Sequence, residues 1–528
     1  MTKLLKLGLI VDCNNLAEQG SHELIQWLEA NPDIALQKYF LKNFSPQQKR
    51  LASYFWSFIT YLESVFYRRY FDDYLNKPLN LDDFILLDAE VLNSSDFIHS
   101  NQFDSLQSDQ IDLFFMLSFD ERMQNLCSAS QHGILSIHSL LSVDSRNLYP
   151  QALYEVLFKS NKTGFSLLHQ KSVNASIDKV FNAAFPTHNY FLANKRNLLK
   201  RRNIYIQHNL SFFIENCFFR NNFGHFPLLF RLPDTPNLTQ QMRYFSAIVY
   251  RFSIKAFKNI LFKQPQWSVG FYFDHWKKFK FEEAQVIENP TNCYLADPFT
   301  ISNSSKNYCF VEEYSFKTSK GCISVYEINP TKAVHLGYAI EEPFHMSFPY
   351  LFTFEGKTYM LPETSANNDI RIYESVEFPL KWRLKKILMK DIFAVDSMIL
   401  FHDNLWWLLT NINPDNGTDA CSDFCIFYSN HPFSDTWHEH KLNPLIVDSE
   451  LARNGGLLFD KDSIFRVSQK QKFDQYGGEF QISRINVMNE DEYSESIEHS
   501  FEPIKILQSK AAHHFHSNGK ITAFDFLK

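Results

Sequence analysis

The sequence predicts a multidomain protein: an N-terminal α/β unit with a Rossmann-like, mostly parallel sheet, then a C-terminal all-β propeller of five blades. Three observations predict it. At 528 residues the chain is longer than one hydrophobic core usually serves. Its first third alternates short apolar runs with helical stretches. From Trp267 onward, a segment of about 50 residues recurs with several short strands in each copy.

The α/β unit is expected over residues 1–182. Strands read as Leu5–Val11, Ile34–Leu41, Phe84–Leu87, Ile111–Leu117 and Gly133–His138. Helical stretches between them include Ser21–Ala30, opened by Ser21 with Glu23 following, and Gln47–Tyr70. The opening MTKLLKLGLIVD has too short an apolar run for a signal peptide and reads as a buried first strand.

Residues 183–266 read as a basic, aromatic helical linker without strand alternation. Lys200-Arg201-Arg202 stands near its start, and Pro227, Pro233 and Pro236 interrupt it. One helix is expected, Thr239 to Phe262, with Arg243, Arg251, Lys255 and Lys258 on one side. Phe245, Ile248, Val249, Phe252 and Ile260 fall on the other. Such a helix suits either a neighbouring protein surface or peripheral contact with an anionic membrane over 239–262.

The propeller is expected over 267–528. Four segments read alike: Ala296–Ile301, Ser347–Phe352, Val395–Leu400 and Arg453–Leu458. Second strands follow at Tyr308–Glu313, Thr358–Glu363, Leu405–Thr410 and Ser463–Ser468, with third strands after them. Asp297, Phe348, Asp396 and Asn454 take equivalent places, separated by 51, 48 and 58 residues. A fifth copy begins near His513-His514-Phe515-His516, runs through Lys520–Phe526, and ends before its outer strands. Trp267–Phe273 is expected to supply one of them and close the ring.

Innermost strands start at the mouth of a central funnel, so their leading side chains converge. That brings Asp297, Asp396, Arg453, Asn454 and His514 around one cavity, with His345 and Ser347 beside them. Second strands end near the same rim in Glu312, Glu313 and Glu363. Carboxylates around an aromatic funnel are what glycoside chemistry needs: a base or nucleophile, an acid, and a third group holding their pKa values apart. Asp297, Glu363 and Asp396 are the catalytic candidates. The same groups equally suit a site that binds a sugar without cleaving it, or that satisfies backbone donors at the blade tops.

Composition narrows the alternatives. A net charge of −7 argues against a nucleic-acid partner. The eight cysteines make no disulfide framework, and Cys421 and Cys425 lack the second pair a zinc site needs, so no metal is expected. No run approaches the ~20 apolar residues of a membrane span. Neither GxGxxG nor GxxxxGK occurs, leaving a nucleotide cofactor without a motif. A cytoplasmic protein is expected, with the 239–262 helix open to the inner membrane face.

Two resemblances add to this. Ala296-Asp297-Pro298, Phe310-Val311-Glu312-Glu313-Tyr314, His345-Met346-Ser347-Phe348-Pro349-Tyr350, Met360–Asn367, Ala394-Val395-Asp396 and Leu405-Trp406-Trp407-Leu408 occur in order. Leu442-Asn443-Pro444-Leu445 and Tyr476-Gly477 continue the series. Together, over about Trp267 to Glu502, they resemble the N-terminal propeller domain of plant glucosamine inositolphosphorylceramide transferases. That domain in turn is similar to glycoside hydrolase family 43 propellers. The resemblance implies a glycan or nucleotide-sugar ligand, with Tyr476 among its contacts. In the plant enzymes sugar transfer belongs to a separate C-terminal domain, so transferase activity is not carried over.

The second resemblance lies in Gly133–Leu141 and Thr163-Gly164-Phe165-Ser166, which look like formyltransferase signatures. It implies a formyltransferase-like fold for 1–182. His138 matches the family's histidine, but Ser136 stands in place of the asparagine, and Val173-Asn174-Ala175-Ser176 lacks the proton-managing aspartate. A hydroxyl supplies no amide donor and an asparagine takes up no proton, so the fold is expected without formyl transfer. 10-Formyltetrahydrofolate is a cofactor only if activity persists.

Three functions follow as expectations. The first is a bacterial protein of surface polysaccharide or glycolipid synthesis whose propeller binds or processes a glycan or activated sugar. The second is a glycosidase or sugar transferase using Asp297, Glu363 and Asp396. The third is an N-formyltransferase acting on an amino sugar through His138.

Overall fold

The computed structural model describes residues 4–12, 19–42, 51–66, 90–93, 110–117, 121–140, 152–219, 237–261, 266–414, 420–502 and 506–528. The chain divides into two compact units, Met1–Phe262 and Lys263–Lys528.

In the first unit the elements run β1 (Leu5–Asp12), α1 (Gln19–Ala30), β2 (Ile34–Lys42), α2 (Leu51–Phe66), β3 (Glu90–Asn93), β4 (Leu113–Met116) and β5 (Ile134–Ser139). There follow α3 (Leu153–Leu157), β6 (Lys162–Gln170), β7 (Asp178–Pro186), α4 (Phe191–Asn216) and α5 (Leu238–Leu261). The seven strands form one sheet in the order β3-β2-β1-β4-β5-β6-β7. Pairing is parallel from β3 to β5 and antiparallel at β5–β6 and β6–β7. The sheet is thus mixed: four of its six pairings are parallel, as expected, and the two at the β6–β7 edge are antiparallel. For β6–β7 the reason is local: the two strands are joined by a short turn, which permits only antiparallel pairing. The expected strand Phe84–Leu87 lies outside the described residues.

The stretch 183–266 is not a separate linker. It begins inside β7 and continues into α4, which packs on β6, β7, α1, α2 and α3. Helix α4 was not anticipated as a separate element, since Lys200-Arg201-Arg202 marked this stretch only as basic. Arg201 and Arg202 are instead buried, and the Arg201 guanidinium lies 4.5 Å from the Phe185 ring centroid. The start of α4 is capped from elsewhere in the fold: Leu192 N–H donates to Glu63 Oε1 (2.8 Å) and Phe191 N–H to the Tyr244 hydroxyl (2.7 Å). Helix α5 matches the expected 239–262 closely. Its apolar arc is divided, however, because Ile248 is buried while Val249 is exposed.

The second unit is the five-bladed propeller. Its blades are β10–β13 (Cys293–Asn303, Lys306–Ser315, Lys320–Asn329, Lys332–Ile340) and β14–β17 (Ser347–Phe354, Lys357–Glu363, Asp369–Glu377, Lys381–Lys390). The third, β18–β21 (Ala394–His402, Leu405–Ile412, Asp423–Ser429, His438–Glu439), carries the extra strand β22 (Ile446–Val447). The fourth is β23–β26 (Asn454–Asp460, Ser463–Lys472, Gln475–Met488, Tyr493–Phe501). In the fifth, β27 (Phe515–Ser517) and β28 (Thr522–Leu527) join β8 (Trp267–Tyr272) and β9 (Gln285–Ile287). β28 pairs antiparallel with β8, Phe524 opposite Gly270, so the two ends of the propeller close the ring as expected.

Each of the first four innermost strands carries an irregularity at the same place. The ladder skips between Ala296 and Phe299, Ser347 and Tyr350, Val395 and Met398, and Asn454 and Gly456. Asp297, Phe348 and Asp396 occupy these bulges with φ of 50°, 47° and 48°. The fourth blade is out of the expected register by one residue, since its bulge residue is Gly455 and not Asn454. Glycine is required there: a Cβ on Gly455 would lie 2.6 Å from the His513 carbonyl, and one on Gly456 would lie 2.4 Å from that of Phe515.

Candidate functional site

The bulges rotate their side chains out of the strand alternation and into the centre of the ring. There Asp297 and Asp525 hold adjoining blades together. Asp525 Oδ2 accepts from Asp297 N–H (3.1 Å), and its Oδ1 accepts from the backbone of His513 (3.1 Å) and His514 (3.0 Å). Asp297 Oδ2 accepts in turn from Phe348 N–H at 3.3 Å. His513 lies between the two carboxylates, 3.2 Å from Asp297 and 3.0 Å from Asp525. Burial alone would push its imidazole down, but Asp525 and Asp297 outweigh that and raise it to about 10. His513 is therefore an imidazolium at neutral pH.

On the third and fourth blades, Arg453 Nε donates to Asp396 Oδ2 at 2.6 Å, and its NH2 lies 3.8 Å from Glu363. Gln469 Nε2 also donates to Asp396 Oδ2 (3.0 Å), and Ser365 Oγ donates to Glu363 Oε1 (2.7 Å). The Arg453 guanidinium sits 5.2 Å from the ring centroid of the exposed Tyr476. Burial pushes the Asp396 carboxyl well above its ordinary range; Arg453 opposes this, and Glu363 and Asp297 add to it.

Glu312 on β11 is the least engaged acid of the group. His345 Nε2 lies 3.7 Å from its Oε1, while His345 Nδ1 accepts from Gly321 N–H (2.8 Å). Burial, then the charges of Asp297 and Glu363, hold Glu312 well above the carboxylate range. Aromatic rings stand around these acids. Trp267 and Tyr476 flank His513 at 4.2 and 5.4 Å, and Tyr294 stacks on Tyr314 at 4.8 Å. Burial and the neighbouring Glu312 and Asp297 charges raise the Tyr294 phenol, so it stays a neutral donor.

Of the residues singled out in the sequence, Asp297, Glu312, Glu363, Asp396, Arg453, His345 and Tyr476 are brought together here, and Ser347 pairs directly opposite Glu363. Three others are differently used. Glu313 follows Glu312 on one strand and so faces the other side, where Ser324 (2.5 Å) and Tyr338 (3.2 Å) donate to it. Asn454 is fully buried, donating to the Asp396 carbonyl (2.9 Å) while its N–H is taken by Asn411 (2.8 Å). His514 is buried against Phe299 and Phe348, ring centroids 4.6 and 5.2 Å away, and burial pushes it down to about 3. His513 takes the place expected of it. His138, on β5 of the first unit, is buried, and burial with the Lys179 charge lowers it to about 4.

His513, Asp525, Gln469 and Trp267 were not anticipated. Asp525 had a signal: it is an acid inside the apolar strand Thr522–Leu527, where only a dedicated partner makes burial tolerable. Asp297, His513 and Asp525 also offer donor atoms within 4.8 Å of one another, a spacing compatible with a metal ion. No metal was expected, since only Cys421 and Cys425 were weighed as ligands and they lack a second pair. The imidazolium already supplies the positive charge between the two carboxylates.

The His513 shift has a consequence for stability. A histidine raised above its ordinary 6.5 contributes in full below that pH, and its contribution is lost as pH climbs through about 10. The urea midpoint is expected to fall between about pH 7 and about pH 10.5, and His513→Gln to flatten that part of the profile.

Comparison with known proteins places this site in context. Residues 282–521 match the family model described as "Glucosamine inositolphosphorylceramide transferase 1, N-terminal". Glucosamine inositolphosphorylceramide transferase 1 of Arabidopsis thaliana is 36% identical over 211 residues, 39% of this chain and 27% of that protein. Its counterpart from Oryza sativa subsp. japonica is 35% identical over 211 residues, covering 39% and 28%. The match thus spans little more than a quarter of these relatives' length. Among solved structures, a thermostable family-43 glycoside hydrolase aligns with TM-score 0.31 and 14% identity, over 39% of this chain and 75% of that one. The catalytic domain of the Coprinopsis cinerea GH62 α-L-arabinofuranosidase aligns with TM-score 0.34 and 9% identity, over 44% and 90%. Likenesses at that level do not extend to the site. The formyltransferase resemblance of the first unit finds no support in these matches, and the plant relatives give none to a bacterial surface role. Residues 282–521 of the propeller are thus similar to the N-terminal region of glucosamine inositolphosphorylceramide transferase 1.

Proposed function

We propose that the propeller binds a carbohydrate at the centre of its ring and that the bound sugar carries an amino group. The observation that carries this reading is the convergence of Asp297, Glu312, Glu363, Asp396 and Asp525 on two cations, Arg453 and His513, beside Trp267 and Tyr476. Sugars need hydrogen-bonding carboxylates for their hydroxyls and a flat apolar surface for their C–H faces. Acids exceed cations in this group, which favours a ligand bearing an ammonium. The relatives' name speaks of glucosamine, which fits that charge.

Binding is favoured over cleavage because two of the three acids first proposed as catalytic are committed. Asp297 spends both oxygens on Phe348 and His513, and Asp396 is held by Arg453 and Gln469. A second reading rests on Glu312, whose raised carboxyl suits a general acid for glycosidic transfer. Titration calorimetry of the full chain against glucosamine, N-acetylglucosamine and glucose separates these readings. Glucosamine is expected to bind most tightly, with no free sugar released from glucosaminides. Equal affinity for all three, or none, contradicts it; steady hydrolysis abolished by Glu312→Gln favours the second reading.

A further inference from the structure

In the first unit, α2 and α5 pack against each other and are pinned together by one buried acid. Tyr244 on α5 donates to Glu63 Oε2 (3.0 Å), and the other Glu63 oxygen holds the start of α4. Glu63 is the sole charged residue in the α2 sequence LASYFWSFITYLESVF, and it is fully buried. The opposite side of α2 presents Phe58, Tyr61 and Val65 to solvent, with Tyr61 62% exposed.

Helix α5 behaves in the same way. Tyr244 and Ile248 are buried toward the unit's core, while Leu238, Met242 and Val249 form an exposed stripe at helical spacing, with Tyr250 alongside. Leu238 is 64% exposed and Tyr250 65%. Single exposed apolar residues are ordinary, but two adjacent helices each leaving a stripe in water are not. The α5 sequence holds four basic residues and no acid, and Arg243 is exposed next to Met242.

We propose that these sides of α2 and α5 dock on the surface of an anionic lipid bilayer. Apolar side chains enter the headgroup boundary, Tyr61 and Tyr250 suit its mixed polarity, and basic groups meet lipid phosphates. No described helix is long and apolar enough to cross a membrane, so the contact is peripheral. The exposed Arg243 beside Met242 favours an anionic surface over a second copy of the same face, which would bring like charges together.

The test is flotation of the full chain with phosphatidylserine–phosphatidylcholine vesicles and with phosphatidylcholine vesicles alone. Binding is expected to the anionic vesicles, weakening when salt rises from about 0.1 M to about 0.5 M because the Debye length shrinks. Tyr61→Glu and Val249→Glu are each expected to cut the partition coefficient by about tenfold or more. Both positions are exposed, and an unchanged circular-dichroism melt shows that the fold is intact. No binding to anionic vesicles, or binding that both variants retain, overturns the proposal. So does a dimer in lipid-free buffer that the variants dissociate, since the face would then belong to a second copy.

Discussion

Arg453→Ala is expected to destabilise the propeller by about 3–5 kcal/mol, the cost of leaving a buried charge without its partner. Asp396 is 2% exposed and would keep only the Gln469 amide, with Glu363 close by. Ion pairs of this kind contribute little relative to well-packed apolar groups, yet breaking one is expensive. The double variant Arg453→Ala/Asp396→Asn is therefore expected to recover a large part of the loss, because no orphan charge remains. Urea denaturation of both single variants and the double variant measures this. An additive double variant would show that Arg453 and Asp396 do not act as a pair. Sugar affinity should stay low in the double variant, since the guanidinium over Tyr476 is gone.

Asp297→Asn has the second large effect. The carboxylate accepts from Phe348 N–H and faces the His513 imidazolium. An asparagine keeps one acceptor but turns an amide N–H toward either the backbone N–H or the imidazolium. Loss of about 2–3 kcal/mol is expected, in the range of a buried charged hydrogen bond. The His513 imidazole should titrate lower, because one of its two raising carboxylates is removed. Affinity for the sugar should fall with stability, at least about tenfold. His513 titration followed by NMR, with calorimetry beside it, reads all three effects. Intact affinity with lost turnover would instead identify Asp297 as a reacting group.

The propeller was legible because each blade is a local unit: its strands follow one another in sequence, and the spacing of Asp297, Phe348 and Asp396 repeats with them. Closure is the exception to this locality, because β28 pairs with β8 from the other end of the unit; it was legible in the strand-like run Trp267–Phe273. The site was legible only in part. Position on a strand fixes which side a residue faces, so Glu312 and Glu313 could never both reach the centre. In the fourth blade the bulge hides the register, because one residue there exchanges Asn454 for Gly455 without changing the apolar pattern. In the first unit the obstacle was burial of charge. Arg201 and Glu63 are charged side chains buried by the fold, Arg201 against the Phe185 ring and Glu63 at the start of α4. The β6–β7 reversal depends on a turn at Lys171–Ile177 that carries no glycine–asparagine signature.

A crystal structure of the full chain soaked with glucosamine would show whether the ring centre holds an amino sugar. The sugar is expected at the ring centre, its ammonium within hydrogen-bond reach of Glu312 or Glu363 and its apolar face against Tyr476 or Trp267. Density for the sugar elsewhere on the molecule, or an unliganded centre at saturating concentration, would contradict it.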